Sequence, residues 1–179
     1  MNGRSDRSVS IVAIALFVFG IMVALFQFFA GSGLRINASP SLPMGLYVVS
    51  KSPDANLVEF CPAEPFARLA NARGWRGNGN CPDGAAPLLK PVVAHAGDVV
   101  ELSARGIAVN GHLLPNTAPL SRDSQGRPLQ PWPFGQYRIG GDAVWVASSY
   151  NAHSFDSRYF GPVLVRSIRD RLRPLVTFR

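Results

Sequence analysis

Ser41 and Lys90 have the side-chain types needed for nucleophilic chemistry without a metal. Ser41 stands in "NASPSLPMGLY" (Asn37 to Tyr47), between Pro40 and Pro43. Prolines on both sides fix the local backbone and hold the hydroxyl on a stiff, extended segment. Lys90 stands in "PLLKPVVAHAGDVVEL", the one charge between Asp83 and Asp98, with Leu88, Leu89, Val92 and Val93 around it. Burial in such company disfavours the ammonium form, and a neutral amine can take a proton from a serine hydroxyl. Lowering a lysine from about 10.4 to about 7 corresponds to about 4–5 kcal/mol of differential solvation. The plainer readings are a loop serine and a lysine that snorkels from a strand edge to water.

A third segment, "SSYNAHSFDSRYFGPV" (Ser148 to Val163), carries polar groups in alternation. Ser154, Asp156 and Arg158 alternate with Phe155, Ser157 and Tyr159, so an extended backbone puts the three on one side. Asp156 and Arg158 can pair, with Ser154 able to donate or accept beside them. A second chemistry would combine Ser41 with His95 or His153 and Asp98 or Asp156 as a Ser/His/Asp triad, although no GxSxG elbow accompanies it. His95, His112 and His153 are scattered and have none of the short spacings that chelate a metal.

The elements that must position these groups read mainly as β. Apolar runs at Gly45 to Ser50, Asp98 to Leu102, Ala143 to Ala147, Pro162 to Val165 and "LVTF" near the end predict strands. "IAV" and "HLL" flanking Asn110-Gly111 predict a tight hairpin. A short helix is predicted around Pro65 to Arg73. Five prolines between Pro115 and Pro133 predict an extended insertion. Cys61 and Cys81, each followed by Pro, bracket "NARGWRGNGN"; one bridge or two buried thiols are the alternatives. A bridge closing that loop would contribute about 3 kcal/mol on the chain-entropy account.

Val9 to Ala30 carries no charge, and as a helix of 1.5 Å rise per residue it would span roughly 33 Å, the thickness of a bilayer core. It is too long for the apolar core of a cleaved signal, and Phe28 precedes Ala30 where a small residue is wanted. The sequence therefore predicts a cytoplasmic tail at 1–8, a transmembrane anchor at 9–30 and one extracytoplasmic domain at 31–179, with insertions at about 60–85 and 115–135. The net charge of +7 is spread over dispersed Lys and Arg with no nucleic-acid motif, which argues against DNA or RNA as a partner. Residues 1–30 hold two basic and one acidic side chain, so +6 of it belongs to the outer domain, suited to an anionic lipid surface.

In this order, "SLPMGLY" with its upstream "RIN", the two "CP" pairs, the Lys before "GDVVEL", "VNGHLLP" and "SFDSRYFGPV" resemble the conserved boxes of the type I signal peptidases, and most closely the TraF-type peptidases of conjugative transfer systems. The likeness runs from the apolar segment to residue 179. It implies a signal-peptidase-like β catalytic domain behind one membrane helix, anchored in the inner membrane with the domain in the periplasm. It implies Ser41 as nucleophile, Lys90 as general base, Ser39 and the Ser41 amide at the oxyanion, Ser154 positioning the amine, and Asp156, with Arg158 beside it, as a further essential group. It implies no cofactor. The expected partners are an exported pilin-like precursor, inner-membrane lipids and components of a conjugation or type IV secretion apparatus. The product would be hydrolysed, or cyclic if the substrate's own amino terminus attacks the acyl-enzyme. A non-enzymatic membrane-tethered β module of a transfer complex is the alternative. Two departures from the housekeeping enzymes stand out: Leu42 follows the serine in place of Met, and "SSYNA" replaces their "GDN". Leu42, Pro43 and Met44 are the sequence's candidates for lining a pocket for small side chains.

Overall fold

The structure is a computed structural model and describes residues 13–14, 16–24, 27, 31, 33–52 and 54–178. The chain divides into two units, Met1–Arg35 and Ile36–Arg179. In the first, residues 13–14 and 16–24 are helical, and Leu16, Phe17, Phe19 and Met22 are exposed. The anchor expected at 9–30 lies partly, and the tail expected at 1–8 wholly, outside the described residues. Among the described residues no helix is long and apolar enough to cross a membrane.

Period-two alternation builds the second unit. Eleven strands follow in chain order: β1 (Leu34–Asn37), β2 (Met44–Val49), β3 (Leu57–Phe60), β4 (Leu88–Ala94), β5 (Val99–Ser103), β6 (Gly106–Val109), β7 (His112–Leu113), β8 (Gly135–Arg138), β9 (Ala143–Val146), β10 (Val163–Leu164) and β11 (Ile168–Phe178). They form a seven-stranded sheet in the order β1-β2-β11-β3-β4-β9-β10 and a four-stranded sheet in the order β7-β6-β5-β8. β9 is apolar at every position because both its faces are used. Val144 and Val146 pack with Val58, Phe60, Val92, Phe155 and Phe160, while Ala143, Trp145 and Ala147 pack with Val100, Leu102 and Ile107.

β11 lies antiparallel between β2 and β3, so that Leu172 is opposite Val49 on one side and Leu57 on the other. It buries Leu172 in a third cluster with Leu42, Tyr47 and Leu57. The sequence predicts only "LVTF" here, yet the strand runs for 11 residues. Its arginines hide it from a hydrophobicity pattern. β3, β4 and β8 likewise add to the predicted strands. The hairpin at Asn110-Gly111 forms as expected, with φ of 49° and 83°, the left-handed pair such a turn requires.

Both insertions are docked to the sheet. Cys61 and Cys81 are bridged, which removes the free-thiol alternative. Between them lies a short helix, α1 (Phe66–Ala72), as predicted. The proline-rich stretch is tied to the end of α1 by Arg73, whose guanidinium meets Asp123 Oδ2 at 3.2 Å and donates to the Pro128 carbonyl at 2.6 Å. Arg127 Nε reaches the same Asp123 oxygen at 2.6 Å. Both guanidiniums lie over the Trp75 ring, 5.2 and 5.8 Å from its centre.

Candidate active site

Ser41 belongs to a loop without regular structure, and side chains take the place of a ladder in satisfying its carbonyls. Asn37 Nδ2 donates to the carbonyls of Ser39 (3.1 Å), Leu42 (3.4 Å) and Pro43 (3.1 Å), while its Oδ1 accepts from the Ser39 amide. Asn151 Nδ2 donates to Pro40 O at 3.2 Å and Tyr47 Oη to Pro43 O at 2.7 Å. Ser148 Oγ donates to the Ser41 carbonyl. Carbonyls 39 through 43 are thus all held. The Ser41 side chain is 5% exposed, and its hydroxyl lies 2.8 Å from that of Ser39, which also accepts from the Ser41 amide at 3.4 Å.

Lys90 reaches the interior by strand alternation: Leu88, Lys90 and Val92 fall on one face of β4, and Leu88 and Val92 pack into the same core cluster. Pro91, opposite Leu57, has no N–H to give the ladder, and the Val92 amide turns to Asn56 O. Lys90 is 4% exposed, and its Nζ donates to Ser154 Oγ at 3.0 Å. Burial pulls its pKa down to about 8; the charge of Asp156 opposes that fall and the charge of Arg158 adds to it.

Ser154 is set by a turn that Asp156 organises. The sequence predicts an extended run here, but Asp156 instead caps a four-residue helix, α2 (Ser157–Phe160), by accepting from the Arg158 amide. Its carboxylate takes Arg158 Nε and Nη2, both at 2.8 Å, and the Ser148 amide at 3.0 Å. Arg158 in turn donates to the carbonyls of Ala152 (3.0 Å) and Ser154 (3.1 Å). Asp156 and Arg158 are fully buried. Burial works against the Arg158 charge, and the Asp156 hydrogen bond and charge outweigh it, so the guanidinium pKa is raised.

Ser39, Ser41, Lys90 and Ser154 all line one cavity of about 560 Å³, whose far wall includes Trp75 and Leu129 from the two insertions. Asp156 and Arg158 stand behind it. Among the described residues no direct hydrogen bond joins Ser41 to Lys90; each hydroxyl or amine has its own serine partner. Leu42 does not line the cavity: it is buried with Tyr47, Leu57 and Leu172, and Met44 is exposed, so Ala38 to Ser41 form that wall instead. The triad residues are not assembled. At the turn between β4 and β5 the Asp98 carboxylate accepts from the backbone amide of His95, and Asp156 is committed to Arg158 and the Ser148 amide. His153 lines the cavity without a partner of that kind.

Ser148, Asn151 and Asn37 were not singled out for a role by the sequence reading. "RIN" and "SSYNA" were noted only as a likeness and a departure, yet those segments hold the Ser41 loop. The cleft thus holds a buried serine hydroxyl and a buried lysine whose burial lowers its pKa to about 8, each bonded to a serine of its own.

The sequence pattern described as "Signal peptidase, peptidase S26" matches residues 5–176, and the chain belongs to that family. Among its relatives, a plasmid transfer protein TraF of Escherichia coli is 38% identical over 150 residues, which is 82% of this chain and 84% of that one. A conjugal transfer protein TraF of Agrobacterium fabrum is 37% identical over 151 residues, again 82% and 84%. Of solved structures, a signal peptidase I of Enterococcus faecalis overlaps 70% of this chain and 99% of its own with 17% identity and a TM-score of 0.37, too distant a likeness to inform the fold.

Proposed function

We propose that this chain is a membrane-anchored serine endopeptidase that cleaves an exported precursor through a Ser41 acyl-enzyme. The observation that carries the reading is Lys90: a residue 4% exposed, its amine bonded to Ser154, lining the same cavity as Ser41. A tethered scaffold has no use for such a group. In the proposed reaction the Ser41 hydroxyl turns from Ser39 toward neutral Lys90, loses its proton to it and attacks the scissile carbonyl. The Ser41 amide and the freed Ser39 hydroxyl then hold the oxyanion, a type of contact worth about 3–4 kcal/mol in other hydrolases. Ammonium Lys90 returns the proton to the leaving amine. Ser154 keeps the amine aimed, and Asp156 with Arg158 holds Ser154 and Ser148 in place.

The relatives' conjugal-transfer names support a conjugation role and a pilin-like precursor as substrate. Family membership supports a site of action at the membrane, with the anchor at 9–30 in the inner membrane and the domain in the periplasm. Either water or the substrate's own amino terminus completes the reaction. Co-expression of the pilin precursor of the same transfer system with wild type, Ser41→Ala and Lys90→Ala, read by product mass, tests the proposal. The expected result is a shortened product, linear or 18 Da lighter if cyclic, with wild type only. Processing by either variant at the wild-type rate would sink the mechanism.

A further inference from the structure

A second cavity opens off the cleft. It has a volume of about 440 Å³ and shares Leu129, Phe155 and Tyr159 with the first; its remaining wall includes Phe66 and Leu69 of α1 and Trp132 of the proline-rich segment. We infer that it is a substrate subsite that takes one large apolar side chain, leucine-sized or aromatic, from the precursor on one flank of the scissile bond. The inference rests on the peptidase reading above.

The lining selects by shape and apolarity. Arg73 and Arg127, the charged groups nearby, are occupied by Asp123, by carbonyls and by the face of Trp75, so they hold the walls together instead of offering a charge to a ligand. The walls are also preformed. Pro128, Pro131 and Pro133 fix their own backbone angles, and the Trp132 amide donates to Arg158 O at 2.8 Å. The Trp132 indole lies so close to Gly161 that a Cβ there would come within 2.6 Å of it. A cavity that needs no ordering on binding wastes none of the contact energy, and its volume falls in the range of ordinary ligand pockets.

Continuity with the cleft names the occupant. Leu129, Phe155 and Tyr159 face both spaces, and Phe155 follows directly on Ser154, the partner of Lys90. An extended chain with its scissile carbonyl at Ser41 and its flank along that wall brings a side chain to the mouth of the second cavity.

The test uses the full chain in detergent micelles and quenched-fluorescent peptides on an Ala/Ser host, with one flanking position at a time set to Ala, Leu, Phe or Trp. Ratios of kcat/KM between peptides are read within each enzyme, so a general loss of activity cancels. At one flanking position wild type should favour Phe over Ala by at least about tenfold. Leu69→Trp, which narrows the cavity, should lower that ratio several-fold, and Leu69→Ala, which enlarges it, should move the preference from Phe to Trp. Cleavage with no flanking preference, or a preference unchanged in both variants, overturns the subsite alone. Failure to cleave any peptide overturns the peptidase reading and the subsite with it. Self-association of wild type that Leu69→Trp abolishes, without a flanking preference, would assign the groove to a second copy and likewise overturn it.

Discussion

Ser148 donates its hydroxyl to the backbone carbonyl of Ser41, 107 residues earlier in the chain. The bond is buried, and it fixes the peptide that follows the Ser41 side chain. Ser148→Ala leaves that carbonyl without a partner, at a cost of about 1–3 kcal/mol in stability. With the loop loosened, kcat on a peptide substrate should fall by about ten- to a hundredfold with KM little changed, and Ser148→Thr should restore part of it. An unaltered kcat in a folded Ser148→Ala variant would remove the residue from any positioning role.

Lys90 sets two pH dependences with different readouts. In the proposed role of general base it must be neutral, and burial holds it at about 8, so kcat/KM should rise with pH and reach half its plateau near pH 8. Stability follows the same group. The folded pKa lies below the ordinary 10.5, so between about pH 8 and 10.5 the unfolded chain binds more protons, and unfolding becomes harder as pH rises through that window. The gain is about 3 kcal/mol at 1.36 kcal/mol per unit, with no contribution to the slope below pH 8. Urea unfolding at pH 7, 9 and 10.5 should show this rise in wild type and lose it in Lys90→Met.

Asp156 sits in the wall behind the cleft, paired to a fully buried arginine. Asp156→Asn leaves the Arg158 charge uncompensated, which should destabilise the domain by about 3–5 kcal/mol. Adding Arg158→Met should recover much of that loss. Activity is expected to track the folded fraction, measured by circular dichroism beside the assay. An Asp156→Asn enzyme of full stability and no activity would make the carboxylate a participant in the reaction.

The Cys61–Cys81 bridge closes the loop that carries α1 and Trp75. Serine at both positions should lower stability by about 3 kcal/mol. Because Gly74 and Trp75 line the cleft, KM for a peptide should rise more than kcat falls. Equal kinetic constants in the double variant would mean that the docking of Arg73 on Asp123 and the Pro128 carbonyl suffices to hold this wall.

The parts of the fold that were legible in the sequence are those with uninterrupted local signals. Asn110-Gly111 gave the hairpin, and Pro65 to Arg73 gave a helix within one residue of its observed ends. β4 was obscured by Lys90 and Pro91 inside the strand, two residues that a strand reading penalises, the first of which lines the cleft. β11 was obscured by Arg169, Arg171 and Arg173, which alternate outward while only Leu172 is buried. At the site, residue types and the resemblance pointed to Ser41, Lys90, Ser39 and Ser154, which line one cavity. The support for the Ser41 loop was not legible. Asn37, Ser148 and Asn151 bond carbonyls, and a carbonyl leaves no mark in a sequence.

β11 is translated after every other strand, and it is inserted between β2, which leads out of the Ser41 loop, and β3, the neighbour of the Lys90 strand. Until residues 168–178 have emerged, the ladder between those two halves of the sheet is missing, and only loop and side-chain contacts such as Ser148 to Ser41 and Tyr47 to Leu57 can join them. Among the described strands, the one made last is thus the one whose ladder joins the Ser41 side of the sheet to the Lys90 side.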